Sequence, residues 1–376
     1  MFTKTIKTIG LILVSSVMFG CGEKATTEYK LGVIAPLTGE GASYGDAMKK
    51  GIDLAVEEIN KTGGINGKNL IPVYRDSKLE SKEALNAFRY LVDVEKVPAI
   101  FGEAASSLSA TLAPYANKSK VVLLSSISTA DTLKDAGDYF FRNVPPNKNQ
   151  AKTAAYFVKD YLKKTQVAVL YENNDYGVNM DSVFSDFFGK VGGKIVSHNS
   201  YESAQKDFKS VLLKVKESKP EIVYIPGTYQ GNALILRQAK EMRIKAAFIS
   251  GDGAYSPELL KTAGEAAEGF YCTLMSMPQS DKSPQVKGFF EAYSAKYKEE
   301  PNVYATYSYD AVHMVAQAIK DGGFTGEGIK NSLYRVDYAG ITGQTKFDAD
   351  GEVDKPYSMY TVKGGKFEVL PWMPNF

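Results

Sequence analysis

From Tyr29 onward, short apolar runs alternate with amphipathic stripes of helical spacing. The runs "YKLGVIAPL", "NLIPVYRD", "VPAIFG" and "KVVLLSS" predict four strands, with helices between them. Met48, Ile52, Ala55, Val56 and Ile59 share one face of the first helix, and Gly63-Gly64 stops it. This βαβα order predicts a parallel sheet with helices on both faces. The alternation breaks at "NVPPNKNQ" and then restarts. Further strands are predicted at "QVAVLYEN", "GKIVSHN", "EIVYIPG", "AAFISGD" and "GFYCTLM". In "DFKSVLLKVKESKP", Phe208, Val211, Leu212 and Val215 line one helical face. A second break, "SMPQSDKSP", precedes two more helical stretches, "VKGFFEAYSAKYKEE" and "YATYSYDAVHMVAQAIKDGG". The end, "KPYSMYTVKGGKFEVL", reads as a hairpin turning at Gly364-Gly365. The pattern therefore predicts an α/β protein of two similar lobes on either side of a Pro-rich crossing. Ligands of such sheets bind beyond the carboxyl ends of the strands.

Composition narrows this picture. A chain of 376 residues exceeds what one hydrophobic core usually serves, which supports two domains. A net charge of +2 gives no electrostatic case for nucleic acid. His198 and His313 are far apart and carry no metal-ligand spacing. Cys272 lies in an apolar strand-like run and is expected to be a buried packing residue. At the N-terminus, Lys4 and Lys7 precede an apolar run from Ile9 to Phe19, of signal-peptide length and too short to span a bilayer. The run ends "VMFGC", which resembles the lipobox of bacterial lipoproteins, although Met18 stands where Leu is usual and Phe19 is bulky for its place. That resemblance implies cleavage after residue 20, lipidation of Cys21 and a polar tether over 21–28. Two or more acyl chains suffice for stable anchoring.

The residues that follow each strand supply the candidate chemistry. "GEAASSLSATLAP" puts Ser106 and Ser107 after the third strand, and "SSISTADTL" follows the fourth. Small hydroxyl residues at a helix start sit beside free backbone N–H groups and the positive end of the helix dipole, which suits a carboxylate or phosphate. The same residues also serve as ordinary N-caps. Asp252 lies between Gly251 and Gly253 at a strand end, where a carboxylate can hold a cation or form an Asx-type turn. Asp175-Tyr176-Gly177 and Gly227-Thr228-Tyr229 follow two other strands and could wall a pocket. One lobe thus offers anion donors and the other an acid with aromatics. An α-amino acid would satisfy both.

The mature chain resembles type I periplasmic solute-binding proteins of the branched-chain amino acid (leucine/isoleucine/valine) transport group. The resemblance rests on "LGVIAPLTGEGASYGDAMKKGIDLAVEEIN", "GGINGKNLIPVYRDS", "ILRQAKEM", "SGDGAYSPELL" and "GEAAEGFY", in that order. It implies two Rossmann-like lobes joined by a hinge, no catalysis and no cofactor. The lobes would be 29–146 plus 278–350 and 147–277 plus 351–376. Implied partners are an amino acid ligand, ABC permease and ATPase subunits, and a membrane reached through the lipid anchor; the protein itself would be a monomer. By the family's pattern Ser106 and Thr129 hold the ligand's polar ends, with Ile127 and Ser128 lining the site through their backbone. Asp252 is the ammonium partner, Tyr44 the aromatic at the first loop, and Tyr176 the second-lobe tyrosine. A further family tyrosine falls on Thr228, with Tyr229 adjacent. Ala105 stands where some members carry a disulfide cysteine.

Other readings remain open at this point. Gly39, Gly41 and Gly45 form a weak variant of a dinucleotide fingerprint, but the acid that would hold a ribose, Asp76, lies too far along. A serine hydrolase lacks its GxSxG elbow. A sensor or receptor ectodomain of the same fold, or a binder of another small carboxylate or amide, is the stronger alternative. The absence of a transmembrane helix or signalling domain at the end of the sequence favours transport.

Overall fold

The computed structural model describes residues 28–277 and 283–374, together with Met1. The signal-peptide and Cys21 expectations lie outside the described residues. Two sheets organise the chain. The first holds β1 (Glu28–Ala35), β2 (Asn69–Asp76), β3 (Ala99–Phe101), β4 (Val122–Ser125) and β5 (Phe140–Arg142), all parallel in the order β2-β1-β3-β4-β5. The second holds β6 (Gln166–Glu172), β7 (Lys194–Tyr201), β8 (Ile222–Tyr224), β9 (Ala247–Ser250) and β10 (Tyr271–Met275). A two-strand ribbon, β11 (Tyr338–Gly340) and β12 (Gly343–Thr345), stands apart. The terminal hairpin, β13 (Tyr357–Lys363) and β14 (Lys366–Val369), then joins the second sheet antiparallel to β10. Leu31, Val33, Ile34 and Ala35 of β1 are all buried, as expected of a parallel strand covered on both faces.

The helices follow in chain order: α1 (Ala42–Lys61), α2 (Ser81–Arg89), α3 (Ser106–Ser119), α4 (Asn147–Tyr156), α5 (Asp175–Lys190), α6 (Lys209–Glu217), α7 (Tyr229–Glu241), α8 (Pro257–Ala263), α9 (Pro284–Tyr297), α10 (Val303–Gly322) and α11 (Gly326–Leu333). Met48, Ile52, Ala55 and Val56 form the buried stripe of α1, and Ile59 is half-buried at its edge. Phe208, Leu212 and Val215 form the corresponding stripe around α6, with Val211 half-buried beside it. β5, the β11–β12 ribbon and α11 were not anticipated from the pattern. β5 is two phenylalanines closed by the charged Arg142, and the ribbon strands, Tyr-Ala-Gly and Gly-Gln-Thr, contain no apolar run.

The chain passes between the sheets after β5, after β10 and after β12. The first passage contains Pro145-Pro146, as the sequence break implied. Arg142, fully buried, ties the first passage to the third. It pairs with Glu352 and donates to the Ala130 carbonyl at 2.8 Å, and its backbone N–H donates to Gly351 O at 3.0 Å. The Tyr357 hydroxyl donates to Pro145 O at 2.9 Å. Asp310 accepts from the backbone N–H groups of Ile341 and Thr342, and Lys355 donates to the Thr342 hydroxyl at 2.8 Å. Cys272 is fully buried, and burial pushes its thiol well up.

Close packing of α1 on α10 gives a stability test. A Cβ at Gly51 would sit 2.2 Å from the Ala305 carbonyl oxygen, which is backbone and cannot swing away. In an exposed helix Gly→Ala stabilises by about 1 kcal/mol. Here the overpacking cost, about 1–3 kcal/mol or more, decides the sign. Gly51→Ala should therefore lower the thermal midpoint by a few degrees in a calorimetric scan; a rise would show that α1 and α10 are less closely packed.

Candidate functional site

The carboxyl ends of the two sheets face each other across a crevice. Tyr44, Leu79, Ala104, Ala105, Ser106, Ser107, Ile127, Thr129 and Tyr304 line it from the first lobe. Asn174, Tyr176, Thr228, Asp252 and Gly253 line it from the second. The centres of water-sized spheres can occupy about 50 Å³ of it. One water needs roughly 10–15 Å³ by that measure. The crevice thus fits a small molecule of a handful of non-hydrogen atoms.

One end is built to meet an anion. α3 begins at Ser106 and has no side-chain cap, since Ala105 occupies the capping position. The carbonyl of Ala105 takes the N–H groups of Leu108 and Ser109, so those of Ser106 and Ser107 are the unpaired first-turn donors. The Ser106 hydroxyl accepts from the backbone of Thr129 at 3.3 Å and Ala130 at 3.1 Å, which leaves its own proton free to donate. Ile127 and Ser128 are held in place by Ser125 Oγ, which accepts their N–H groups at 3.3 and 2.9 Å. Among the described residues no Lys or Arg lines the crevice, so on them a bound anion meets only dipoles.

The other end is acidic. Asp252 follows β9 and is 2% exposed. Its Oδ1 accepts from Gln150 Nε2 and from the Tyr176 hydroxyl, both at 2.8 Å, and Tyr176 Oη accepts from Gly253 N–H at 3.2 Å. The Tyr304 hydroxyl donates to the Asp252 carbonyl at 2.6 Å. Burial pushes the Asp252 carboxyl up to about 6; the hydrogen bonds from Gln150 and Tyr176 oppose this but do not cancel it. It is the one ionisable acid among the lining residues. Behind the anion end, burial likewise holds the Glu103 carboxyl up at about 7, against hydrogen bonds that include the Ala104 N–H. In the second lobe Glu172 accepts from the Thr228 backbone at 2.6 Å and hydroxyl at 2.9 Å, fixing the start of α7.

Of the ten residues singled out from sequence, eight line this crevice: Tyr44, Ala105, Ser106, Ile127, Thr129, Tyr176, Thr228 and Asp252. Ser128 and Tyr229 are not among its lining residues. The Ser128 hydroxyl turns inward to Ser109 Oγ at 2.8 Å and the Glu103 carbonyl at 2.9 Å. Tyr229 stands edge-on to Tyr44 with ring centroids 5.1 Å apart, and so backs the wall. Sequence reasoning missed Tyr304, Asn174 and Leu79. Asn174 carried a signal, since an Asn just before a helix is an N-cap and here accepts from Gly177 N–H at 2.8 Å. Of the glycines after β1, Gly41 and Gly45 are explained by packing, since a Cβ at Gly45 would lie 2.1 Å from Pro36 O, and Gly39 by its φ of 78°. Asp76 is turned to the N–H groups of Leu37 and Lys78, both at 2.9 Å.

Comparison with known proteins is consistent across sequence and structure. The periplasmic binding protein family model matches residues 28–366. A leucine-, isoleucine-, valine-, threonine- and alanine-binding protein of Pseudomonas aeruginosa is 27% identical, over 94% of this chain and 92% of that one. The crystal structure of a leucine-binding protein, LivK, from Thermotoga maritima superposes with a TM-score of 0.87 at 30% identity, covering 91% of this chain and 97% of that one. The branched-chain amino acid transporter substrate-binding protein LivJ from Streptococcus pneumoniae, solved with isoleucine, gives 0.86 at 34% identity, covering 91% and 99%.

The buried acid makes the closed form sensitive to pH. With the lobes together, Asp252 keeps its proton up to about pH 6; hydrated in an opened crevice, it would lose it near 4. The closed form therefore binds the proton more tightly, and closure of the ligand-free protein is favoured below pH 4 and progressively lost as pH rises through 6. Asp252→Asn keeps an oxygen for Tyr176 and Gln150 but carries no charge. At pH 7.5 without ligand this variant should show a smaller radius of gyration in X-ray scattering than the wild type, and the difference should shrink markedly at pH 4.5. Identical curves at pH 7.5 would remove the acid's role in opposing closure.

Proposed function

Because this chain belongs to the periplasmic binding protein family, in its branched-chain amino acid transport group, we propose that it captures an α-amino acid with an apolar side chain between its lobes and delivers it to a membrane permease driven by ATPase subunits. The observation that carries this reading is the pairing of unlike ends in one small crevice. Unpaired N–H groups and the Ser106 hydroxyl stand on one lobe, and the buried Asp252 carboxylate on the other. A carboxylate at the first end and an ammonium at the second satisfy both. The ammonium also supplies the counter-charge that Asp252 lacks. A simple carboxylic acid would leave that carboxyl uncompensated, and a phosphate would find no cationic side chain.

Tyr44, Leu79, Ala104, Ala105 and Tyr304 give the remaining wall an apolar character, suited to an aliphatic side chain. Hydrogen bonds to charged groups contribute about 1.5–3 kcal/mol each. Three or four, less the costs of ordering and closure, leave about −8 kcal/mol, near micromolar affinity. In this reading the lobes divide at 146/147, 277/278 and 350/351, and the ligand drives a hinge closure by touching both. No described helix is long and apolar enough to cross a membrane. Lipidation at Cys21, which lies outside the described residues, would hold the protein at the membrane as a tethered monomer.

Titration calorimetry and thermal shift test the assignment. L-leucine, L-isoleucine and L-valine should bind and raise the thermal midpoint, whereas 4-methylpentanoate, which is leucine without its amine, should not. Ser106→Ala and Asp252→Asn should each weaken leucine binding by roughly 10- to 100-fold. Binding of the deaminated acid in preference to leucine would overturn the amino acid reading.

A further inference from the structure

Away from the residues that line the crevice, a second set of groups joins the lobes directly. The Tyr229 hydroxyl, at the start of α7, donates to the Glu40 carbonyl at 2.6 Å. Ser43 Oγ, on α1, meets Ser256 Oγ, just before α8, at 2.8 Å. Lys206 pairs with the Glu40 carboxylate at 2.7 Å, although both side chains are more than half exposed. These three contacts link the first lobe to the second across sequence separations of 166 to 213 residues. None of the five residues lines the crevice.

We propose that Tyr229 and Ser43 are latch residues: their bonds across the lobes, made only when the crevice is shut, set the closing equilibrium and hence the affinity for every ligand alike. The inference rests on the reading of a ligand-closed crevice. Two features support it. Tyr229 and Ser256 are buried at 6% and 1% exposure, while Ser43 is half-buried and Glu40 exposed, so these bonds are part-buried, unlike the exposed Lys206–Glu40 pair. Tyr229 also packs edge-on against Tyr44, so its hydroxyl is held in place by the same wall that contacts the ligand. The Lys206–Glu40 pair, being solvent-exposed, contributes little and is screened by salt.

The consequence follows from the equilibrium. For a protein whose binding-competent form is a fraction of the whole, the apparent Kd equals the intrinsic Kd divided by that fraction. A bond made only in the closed form changes the fraction and leaves the intrinsic constant untouched. Its loss therefore multiplies the Kd of all ligands by one factor. A residue that touches the ligand's side chain changes ratios between ligands instead.

The experiment compares wild type, Tyr229→Phe and Ser43→Ala for L-leucine and L-valine by calorimetry, with ligand-free thermal melts as the control for folding. Tyr229→Phe keeps the ring against Tyr44 and removes only the hydroxyl. Each variant should raise both Kd values by about 3- to 10-fold. The leucine-to-valine ratio should hold within twofold, and the ligand-free midpoint should be unchanged, because the open form does not make these bonds. Lys206→Ala should change Kd by less than twofold at 0.15 M salt. Unchanged Kd values in both main variants, or a shifted ratio, would overturn the latch while leaving the amino acid reading intact. Wild-type protein that binds neither probe would sink that reading, and the latch with it.

Discussion

A carboxylate taken out of water must find a cation or give up its charge. Asp252 has been taken out of water, and its neighbours are Gln150, Tyr176 and the backbone, all neutral. Much of the site's behaviour follows from this placement. It biases the crevice toward ligands with an ammonium group, and it penalises closing around nothing. The donors on the opposite lobe are also neutral, so a zwitterion brings both charges and each meets a dipole or an opposite charge. Under the proposed function, selectivity for amino acids over plain acids would need no further device.

The closing equilibrium is a contest between this penalty and the direct bonds between the lobes. Tyr229 on Glu40 and Ser43 on Ser256 favour the closed form. The bare carboxylate opposes it. If the bonds won outright, the protein would shut without cargo and bind slowly. If the carboxylate dominated, affinity would be spent on closure. In the proposed reading, a ligand ammonium would remove the opposing term at the moment of capture, so that one contact would act both as recognition and as release of the brake. The same balance makes protonation of Asp252 a partial substitute for the ligand.

Much of this was legible in the sequence, and the limits have physical causes. Buried parallel strands give continuous apolar runs, so β1, β4 and β6 are visible, and strand ends in a parallel sheet are where ligands bind, so Ser106 and Asp252 could be named, whereas Thr129 was singled out only by the family resemblance. β5 offers only Phe140 and Phe141 before the charged Arg142, too short an apolar run to stand out as a strand. Tyr304 was hidden for a different reason. It lies in α10, where Val303, Ala305, Tyr307 and Val312 are all buried, and there it reads as one more core aromatic. Only the tertiary placement of α10 against α1, through the glycine contact at Gly51, turns its ring toward the crevice. Ser128 illustrates the converse. It was expected to line the site through its backbone, but it is not among the residues that line the crevice, and its hydroxyl turns inward to Ser109 and the Glu103 carbonyl.

The hinge needs its own explanation, because three separate strands of chain must turn together. Apolar packing between the passages would permit sliding, since it has no preferred direction. The structure instead places directional bonds there. Arg142 on the first passage holds Glu352 on the third and, through its guanidinium, the Ala130 carbonyl next to Thr129. Lys355 and Asp310, joined through Thr342, fix the third passage to α10, the helix that carries Tyr304. A buried ion pair adds little net stability compared with an apolar substitute, but breaking one partner leaves a stranded charge. That asymmetry is what a hinge requires. Sideways slip would strand Arg142 or Glu352, whereas rotation of one lobe about the passages leaves both paired. The anchor points adjoin Thr129 and Tyr304, so in the proposed closure the fixed part of the hinge would hold the first lobe's half of the site in register while the second lobe carried Asp252 in or out.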